Sequence, residues 1–162
     1  MSIPVLTVAQ MRQWEAASWD AGIRVEDVID RVGSLLASRL SSLTSPGDRL
    51  LLVQGRGHNG DDLRAAARHL TLREVHSVDV EDPSVAVTAL ERSLERRPAL
   101  IVDGLFGIGL NRPLEGHWLR LVERMNASGV PIASVDVPSG LDATTGSPMG
   151  DAIRAQCTLA LG

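Results

Sequence analysis

Two aspartates follow predicted strands and have the chemistry for acid–base work or for binding a cation. Asp103 comes directly after the run 99–102, and Asp136 comes directly after the run 131–135. An apolar setting raises the pKa of a carboxyl group, so such a residue can act as a general acid or base near neutral pH. Together with Asn59 and Ser139 they form an oxygen-rich, thiol-free set that suits a hard cation. Taken singly, either aspartate could equally cap a loop.

A glycine-rich segment is the second candidate for chemistry. Gly55, Gly57 and Gly60 have the spacing G-x-G-x-x-G between a predicted strand and a predicted helix. Such glycines let the backbone approach a ligand, and the helix N-terminus favours an anion, although a plain strand–helix turn has the same pattern. Asp61 and Asp62 in the first helical turn would repel a phosphate there. The usual ribose-binding acid after the second strand is also missing, unless Asp79 or Glu81 serves. These features disfavour a standard dinucleotide dehydrogenase.

The elements that must position these residues alternate along the chain. Predicted strands at 50–53, 75–80, 99–102, 131–135 and 157–161 are separated by predicted helices, among them one at about 61–72 and one at 83–97. This alternation predicts an α/β fold, a Rossmann-like three-layer α/β/α sandwich with a mostly parallel central sheet. Ligands bind such sheets beyond the carboxyl ends of the strands. The loops 55–62, 103–113 and 136–142 should therefore converge on one edge and form one site.

Composition excludes several classes of function. All sixteen basic residues among the 162 are Arg, so a Schiff-base lysine and a Walker-type lysine are both excluded. The single cysteine, Cys157, leaves no internal disulfide, and the four histidines have no metal-ligand spacing. A net charge of −4 argues against a nucleic-acid partner. With no signal peptide and no apolar run of about 18 residues, we expect a cytoplasmic protein that does not enter the membrane.

Four segments resemble a known family, the NAD(P)H-hydrate epimerases, whose domain is also called the YjeF N-terminal domain. The first segment, 5–23, resembles the opening helix of the family. The second, 55–62 followed by 66–70, resembles its glycine loop and the helix after it. The third, 102–110, resembles its middle loop. The fourth, 135–142 followed by Thr145-Gly146, resembles its D-x-P-S-G signature. Together the four segments span nearly the whole chain.

The resemblance implies an isomerase of nicotinamide nucleotide repair. Family members interconvert the R and S epimers of hydrated NADH and NADPH (NADHX and NADPHX), and a dehydratase then repairs the S form. The resemblance also implies a homodimer and a bound potassium ion held by Asn59, Asp103 and Ser139. Asp136 matches a substrate contact, and we take it as the general acid/base. The other matches to substrate-binding positions are His58, Asn59, Gly60, Asp61, Asp62, Gly107, Ile108, Gly109, Leu110, Asn111, Arg112 and Pro113.

Departures from the family pattern keep other functions open. The family loop reads Asn-Asn-Gly-Gly-Asp-Gly, whereas Asp61 and Leu63 here replace two of its glycines. The stretch 70–100 is short for the family, and the chain stops at Gly162, so we expect one C-terminally shortened domain over residues 1–162. The first alternative is a non-catalytic nucleotide-binding or dimerisation scaffold of the same fold. A second alternative is a different α/β enzyme that handles nucleotides.

Overall fold

A five-stranded parallel sheet forms the centre of the protein. The structure is a computed structural model and describes residues 6–161. The strands are β1 (Arg49–Gln54), β2 (Glu74–Asp79), β3 (Leu100–Gly104), β4 (Ile132–Val135) and β5 (Cys157–Leu159). They lie in the order β2-β1-β3-β4-β5, and each neighbouring pair is parallel. The ends of β1, β3 and β4 are therefore adjacent at one edge, which is the arrangement that the sequence predicted.

Five helices connect the strands or precede them: α1 (Val8–Asp20), α2 (Val25–Leu43), α3 (His58–Ala67), α4 (Pro83–Leu94) and α5 (His117–Ala127). A capping box between Thr7 and Gln10 begins α1. The helix α3 begins at His58, about three residues earlier than predicted, because the extended Gly57 is its N-cap. The predicted ligand loop is thus largely the first turn of a helix. Within residues 6–161, no helix is long and apolar enough to cross a membrane.

The two faces of the sheet are covered by different helices. Leu50 and Leu52 in β1 belong to an apolar cluster with residues of α2 and α3. Leu51 and Val53 point to the other face, where the cluster includes residues of α4 and α5. Because successive side chains of a strand alternate between faces, a strand buried on both sides is continuously apolar. This packing confirms the predicted three-layer α/β/α sandwich.

The contact between α2 and α3 depends on Gly33. A Cβ atom added to Gly33 would lie 2.4 Å from the Cβ of Ala65 in α3 and 2.8 Å from the Ala65 carbonyl carbon. The backbone of α3 at Ala65 could not move away from this Cβ atom as the end of a flexible side chain could. Gly33 therefore lets α2 press α3 against the sheet, and α3 carries the residues that begin the candidate site.

We expect Gly33→Ala to destabilise the fold, because the added methyl group overpacks the contact between α2 and α3. The loss should be about 1–3 kcal/mol in the free energy of unfolding, measured by urea denaturation. Ser34→Ala, at an exposed neighbouring position on α2, is the matched control and should stay within about 0.5 kcal/mol of the wild type. Equal stability of the two variants would contradict the close packing at Gly33.

Candidate functional site

The carboxylate of Asp103 in β3 is fully buried and is the centre of a hydrogen-bond cluster. Its Oδ1 accepts a hydrogen bond from the Ser139 hydroxyl at 2.6 Å and from the Leu105 backbone N–H at 3.2 Å. Its Oδ2 accepts from the Ser134 hydroxyl at 2.8 Å and from the Ser139 backbone N–H at 2.9 Å. Burial raises the pKa of Asp103, and these hydrogen bonds oppose that shift. The cluster ties β3 to β4 and to the turn after β4.

The turn after β4 also holds the loop after β3. The Ser139 hydroxyl oxygen accepts a hydrogen bond from the backbone N–H of Phe106 at 2.9 Å. Gly140 has a φ of +99°, and a Cβ atom on it would lie 2.2 Å from the Asp151 carbonyl oxygen. The serine and the glycine of the D-x-P-S-G signature therefore have separate tasks. The serine joins two loops, and the glycine allows the turn to pack against the chain that leads to β5.

Asp136 is held in an uncommon backbone conformation at the mouth of the site. Its φ is +66°, in the left-handed region that non-glycine residues rarely occupy. Its Oδ2 accepts a hydrogen bond from the Ile108 backbone N–H at 3.0 Å. Burial raises the pKa of the Asp136 carboxyl, and the hydrogen bond from Ile108 partly offsets the rise. A buried carboxyl with a raised pKa is suited to general acid–base chemistry.

Asn59 lies in the first turn of α3, close to Asp136. A Cβ atom built on Gly107 would be 2.4 Å from Asp136 Oδ2 and 3.6 Å from the Cβ of Asn59. A side chain at position 107 would therefore collide with the Asp136 carboxylate, and it would be in ordinary van der Waals contact with Asn59. The Oδ1 and Nδ2 atoms of Asn59 are buried and have no hydrogen-bond partner among residues 6–161. An unsatisfied buried amide is costly, so it indicates a place for a ligand.

Asp62 lies three residues after Asn59 and therefore on the same face of α3. It is 7% exposed. Burial, more than any other cause, raises the pKa of Asp62 to about 7. His58 lowers this pKa, whereas Asp61, Asp136 and Glu15 raise it further. Within the described residues, no hydrogen bond or ion pair stabilises the charge of this carboxylate. Asp62 is thus a nearly buried acid that shares the electrostatic environment of Asp136.

Asp61 points away from this environment. Its carboxylate pairs with the Arg64 guanidinium at 3.0 Å. Arg64 also pairs with Asp79 at 2.8 Å and donates to the Gly55 carbonyl oxygen at 2.9 Å. The single charge of Arg64 is therefore shared between Asp61 and Asp79, near the end of β2. From the sequence we expected Asp61 to repel a phosphate at the start of this helix. In the structure Asp61 is paired with Arg64, so it does not present an unpaired charge there.

The glycines of this loop have a different role from the expected one, which was to let a ligand approach the backbone. A Cβ atom on Gly55 would lie 2.1 Å from the Leu105 carbonyl oxygen, and one on Gly60 would lie 2.0 Å from the Gly55 carbonyl oxygen. Both glycines therefore serve contacts within the protein, where they bring the start of α3 against β1 and the loop after β3. Only Gly57 has open space where its side chain would be.

The remaining predicted substrate positions differ in their exposure to solvent. Gly107 and Ile108 are half-buried beside Asp136, as described above. The side chain of Leu110 packs partly against the core. Four positions of the same loop are exposed: Gly109, Asn111, Arg112 and Pro113. His58, at the start of α3, is exposed as well. A role for these residues in substrate binding stays a prediction.

Three contributors to the site were not predicted from the sequence. Ser134 lies next to Asp103 in the β3–β4 register and donates to its carboxylate. A lone serine inside a buried strand was the signal that could have revealed it. Phe106 contributes only backbone groups, which no residue type reveals. Arg64 looked like an ordinary helix residue because its partners, Asp79 and Gly55, are distant in sequence.

The oxygen donors that gather here fit a hard cation. The unpartnered amide of Asn59 offers Oδ1, the Asp103 carboxylate supplies negative charge, and Ser139 adds a hydroxyl oxygen. No group of three His, Cys, Asp or Glu side chains between residues 6 and 161 is arranged to hold a metal ion. Oxygen donors of this kind suit a hard cation better than a metal that prefers nitrogen or sulfur ligands.

The fold and this arrangement define a class of α/β proteins whose site lies at the carboxyl edge of a parallel sheet. Comparison with known families gives a match to the YjeF-related protein N-terminus over residues 82–162, half of the chain. A relative from Achromobacter xylosoxidans, an NAD(P)H-hydrate epimerase, is 36% identical over 96% of this chain and 82% of its own length. The chain therefore belongs to the YjeF-related N-terminus family.

Other relatives differ in length. An NAD(P)H-hydrate epimerase from Bordetella pertussis is 34% identical over 94% of this chain and 75% of its own. A bifunctional NAD(P)H-hydrate repair enzyme from Gloeobacter violaceus is 38% identical over 95% of this chain, which spans only 34% of that protein. Among solved structures, yeast ynu0 (YNL200c) has a TM-score of 0.78 at 21% identity, covering 96% of this chain and 79% of its own. The last likeness concerns the fold alone.

We expect the buried acid Asp62 to make stability depend on pH. Its pKa is higher in the folded state than in the unfolded chain, so the folded protein holds a proton that the unfolded chain has lost between about pH 4 and pH 7. Its contribution to stability is therefore lost as the pH rises through that range, by at most about 4 kcal/mol. Asp62→Asn should remove this loss and make the protein more stable than the wild type at about pH 8.

Urea denaturation at about pH 5 and about pH 8 measures this difference. Asp20→Asn is the control, because Asp20 is an exposed residue at the end of α1. It should leave the pH dependence unchanged. A lower stability of Asp62→Asn than of the wild type at the higher pH would contradict the unpaired, buried state of Asp62.

Proposed function

We propose that this protein is an NAD(P)H-hydrate epimerase, which interconverts the R and S epimers of hydrated NADH or NADPH. Family membership and the names of the similar full-length relatives support this function. The observation that carries it is the meeting of Asn59 and Asp136 at the backbone of Gly107, beside the Asp103–Ser139 cluster. Residues from three distant parts of the chain thus form one polar site with an acid of raised pKa.

The site residues have distinct roles in this proposal. Asp136 moves a proton at the hydrated carbon of the nicotinamide ring, and the N–H of Ile108 orients its carboxylate. Asn59, Asp103 and Ser139 would hold a potassium ion, which when bound supplies positive charge near the substrate phosphates. The loop 107–113 and the start of α3 bind the nucleotide. A dehydratase that repairs the S form is the expected functional partner, and a homodimer is the expected assembly.

A scaffold without catalytic function is supported less well. Two of the departures that favoured it are Asp61 and Leu63, which replace glycines of the family pattern. Asp61 pairs with Arg64 outside the site. Leu63 is fully buried and packs beside Gly104, where it belongs to the core between the sheet and α3. Asp61 and Leu63 each have a structural partner of their own, so both departures are compatible with a working site.

A coupled assay tests this function. The protein is mixed with the R epimer of NADHX and a separate dehydratase that accepts only the S epimer, and the formation of NADH is followed. We expect the wild type to accelerate NADH formation. Asp136→Asn should reduce the rate by about 100-fold or more, because the amide cannot transfer the proton. Asparagine is the suitable replacement because it tolerates the positive φ of position 136.

Asp142→Asn is the matched control on the same segment. Asp142 is half-buried, and its carboxylate accepts hydrogen bonds from the backbone of Thr144 and Thr145 and shapes a turn. This variant should keep the wild-type rate. A wild-type protein that gives no acceleration with either NADHX or NADPHX would exclude the epimerase function. Equal rates for the wild type and Asp136→Asn would exclude the proposed role of Asp136.

A further inference from the structure

The geometry points to Asp62 as a second catalytic acid/base, which acts with Asp136 on opposite faces of the hydrated ring. This inference rests on the proposed epimerase function and deepens it. It starts from a carboxyl group that the role of Asp136 leaves unexplained. Asp62 is 7% exposed, and within the described residues it has neither a hydrogen-bond donor nor a paired cation. A buried carboxyl without such partners weakens the fold, so a functional role accounts for its presence.

The positions of the two carboxyls fit a shared substrate. Asp62 is on α3, which follows β1, and Asp136 follows β4, while β3 lies between these strands. The two carboxyls are close enough for the charge of Asp136 to raise the pKa of Asp62. Asn59 and Asp62 share one face of α3, and Gly107 connects that face with Asp136.

The charges around the pair favour one proton between them. His58, Asp61 and Glu15 are the other ionisable groups that influence Asp62, and Asp61 also pairs with Arg64. The hydrogen bond from Ile108 favours the ionised form of Asp136. Asp62 lacks such a donor, and its pKa of about 7 keeps it partly protonated at neutral pH. The pair therefore offers an acid and a base at the same time.

Epimerisation of a hydrate needs both an acid and a base. The hydroxyl group is on the carbon next to the ring nitrogen, because the nitrogen lone pair stabilises a cation there. Asp62 gives its proton to this hydroxyl, the C–O bond breaks with its electron pair on oxygen, and water leaves as the nitrogen lone pair forms a C=N bond. Water then attacks the opposite face and forms a new C–O bond, while the C=N electrons return to nitrogen. Asp136 takes the proton that this water loses. No oxidation state changes, and the two carboxyls exchange roles for the other epimer.

Incorporation of oxygen from the solvent into the product tests this order of steps directly in the wild-type protein. The R epimer with ordinary oxygen is incubated with the protein in water labelled with oxygen-18, and the separated S epimer is analysed by mass spectrometry after correction for the uncatalysed exchange. We expect each product molecule of the first turnovers to contain one labelled oxygen. Retention of the original oxygen would overturn the inference, because the hydroxyl would then not leave as water. This measurement needs no variant.

Asp62→Asn tests the residue itself. The substitution keeps the shape of the side chain, and kcat should fall about 100-fold or more with KM changed less than about threefold. Adding Asp136→Asn should lower the rate little further, because the two carboxyls act as one unit. Asp30→Asn, at an exposed position of α2 that pairs with Arg68, should keep the wild-type rate. A kcat of Asp62→Asn within about threefold of the wild type would overturn the inference and leave the epimerase function standing. No epimerisation by the wild type would overturn both.

Discussion

The buried carboxylate of Asp103 is the interaction on which the site depends. A charge removed from water must be satisfied by donors, and here four donors from the loop after β3, from β4 and from the turn after it point to one side chain. Removal of a donor would leave the charge partly unsatisfied, so the two loops are held in one arrangement. Asp136 begins the turn that contains Ser139. The position of the reactive carboxyl is therefore fixed by a hydrogen-bond cluster three residues further along the chain.

The glycines at the start of α3 also help to fix the site, on the side opposite to the Asp103 cluster. Gly60 lets the first turn of α3 pack on Gly55, and Gly55 in turn packs on the Leu105 carbonyl in the loop after β3. Gly107 leaves room for the Asp136 carboxylate. On the outer side, Arg64 joins α3 to the ends of β1 and β2. The start of α3 is thus clamped at both sides. This rigidity explains how a buried, unpartnered amide at Asn59 and a buried acid at Asp62 can persist in a folded protein.

Much of the fold was predictable because the sequence pattern has a direct physical cause. Apolar runs such as 50–53 are required of strands that are covered on both faces, and polar residues directly after them must lie at one edge of a parallel sheet. Asp103 and Asp136 were located in this way. The start of α3 at His58 was predicted about three residues late, since glycine and asparagine lower helix propensity and tertiary contacts outweigh that preference here. The direction of a side chain was not predictable either: Asp61 and Asp62 are adjacent in sequence, yet one pairs with Arg64 and the other is buried near Asp136.

The coupling between Asp103 and Ser139 tests the central claim most directly, since it asks whether one hydrogen-bonded cluster joins the two loops. The free energy of unfolding is measured for Asp103→Asn, for Ser139→Ala and for the double variant. The structure predicts that the double variant loses about 1–3 kcal/mol less than the sum of the two single losses, because each substitution removes the same hydrogen bonds. Losses that add to within about 0.5 kcal/mol would show that the two residues act independently, and would contradict the account of how this site is held together.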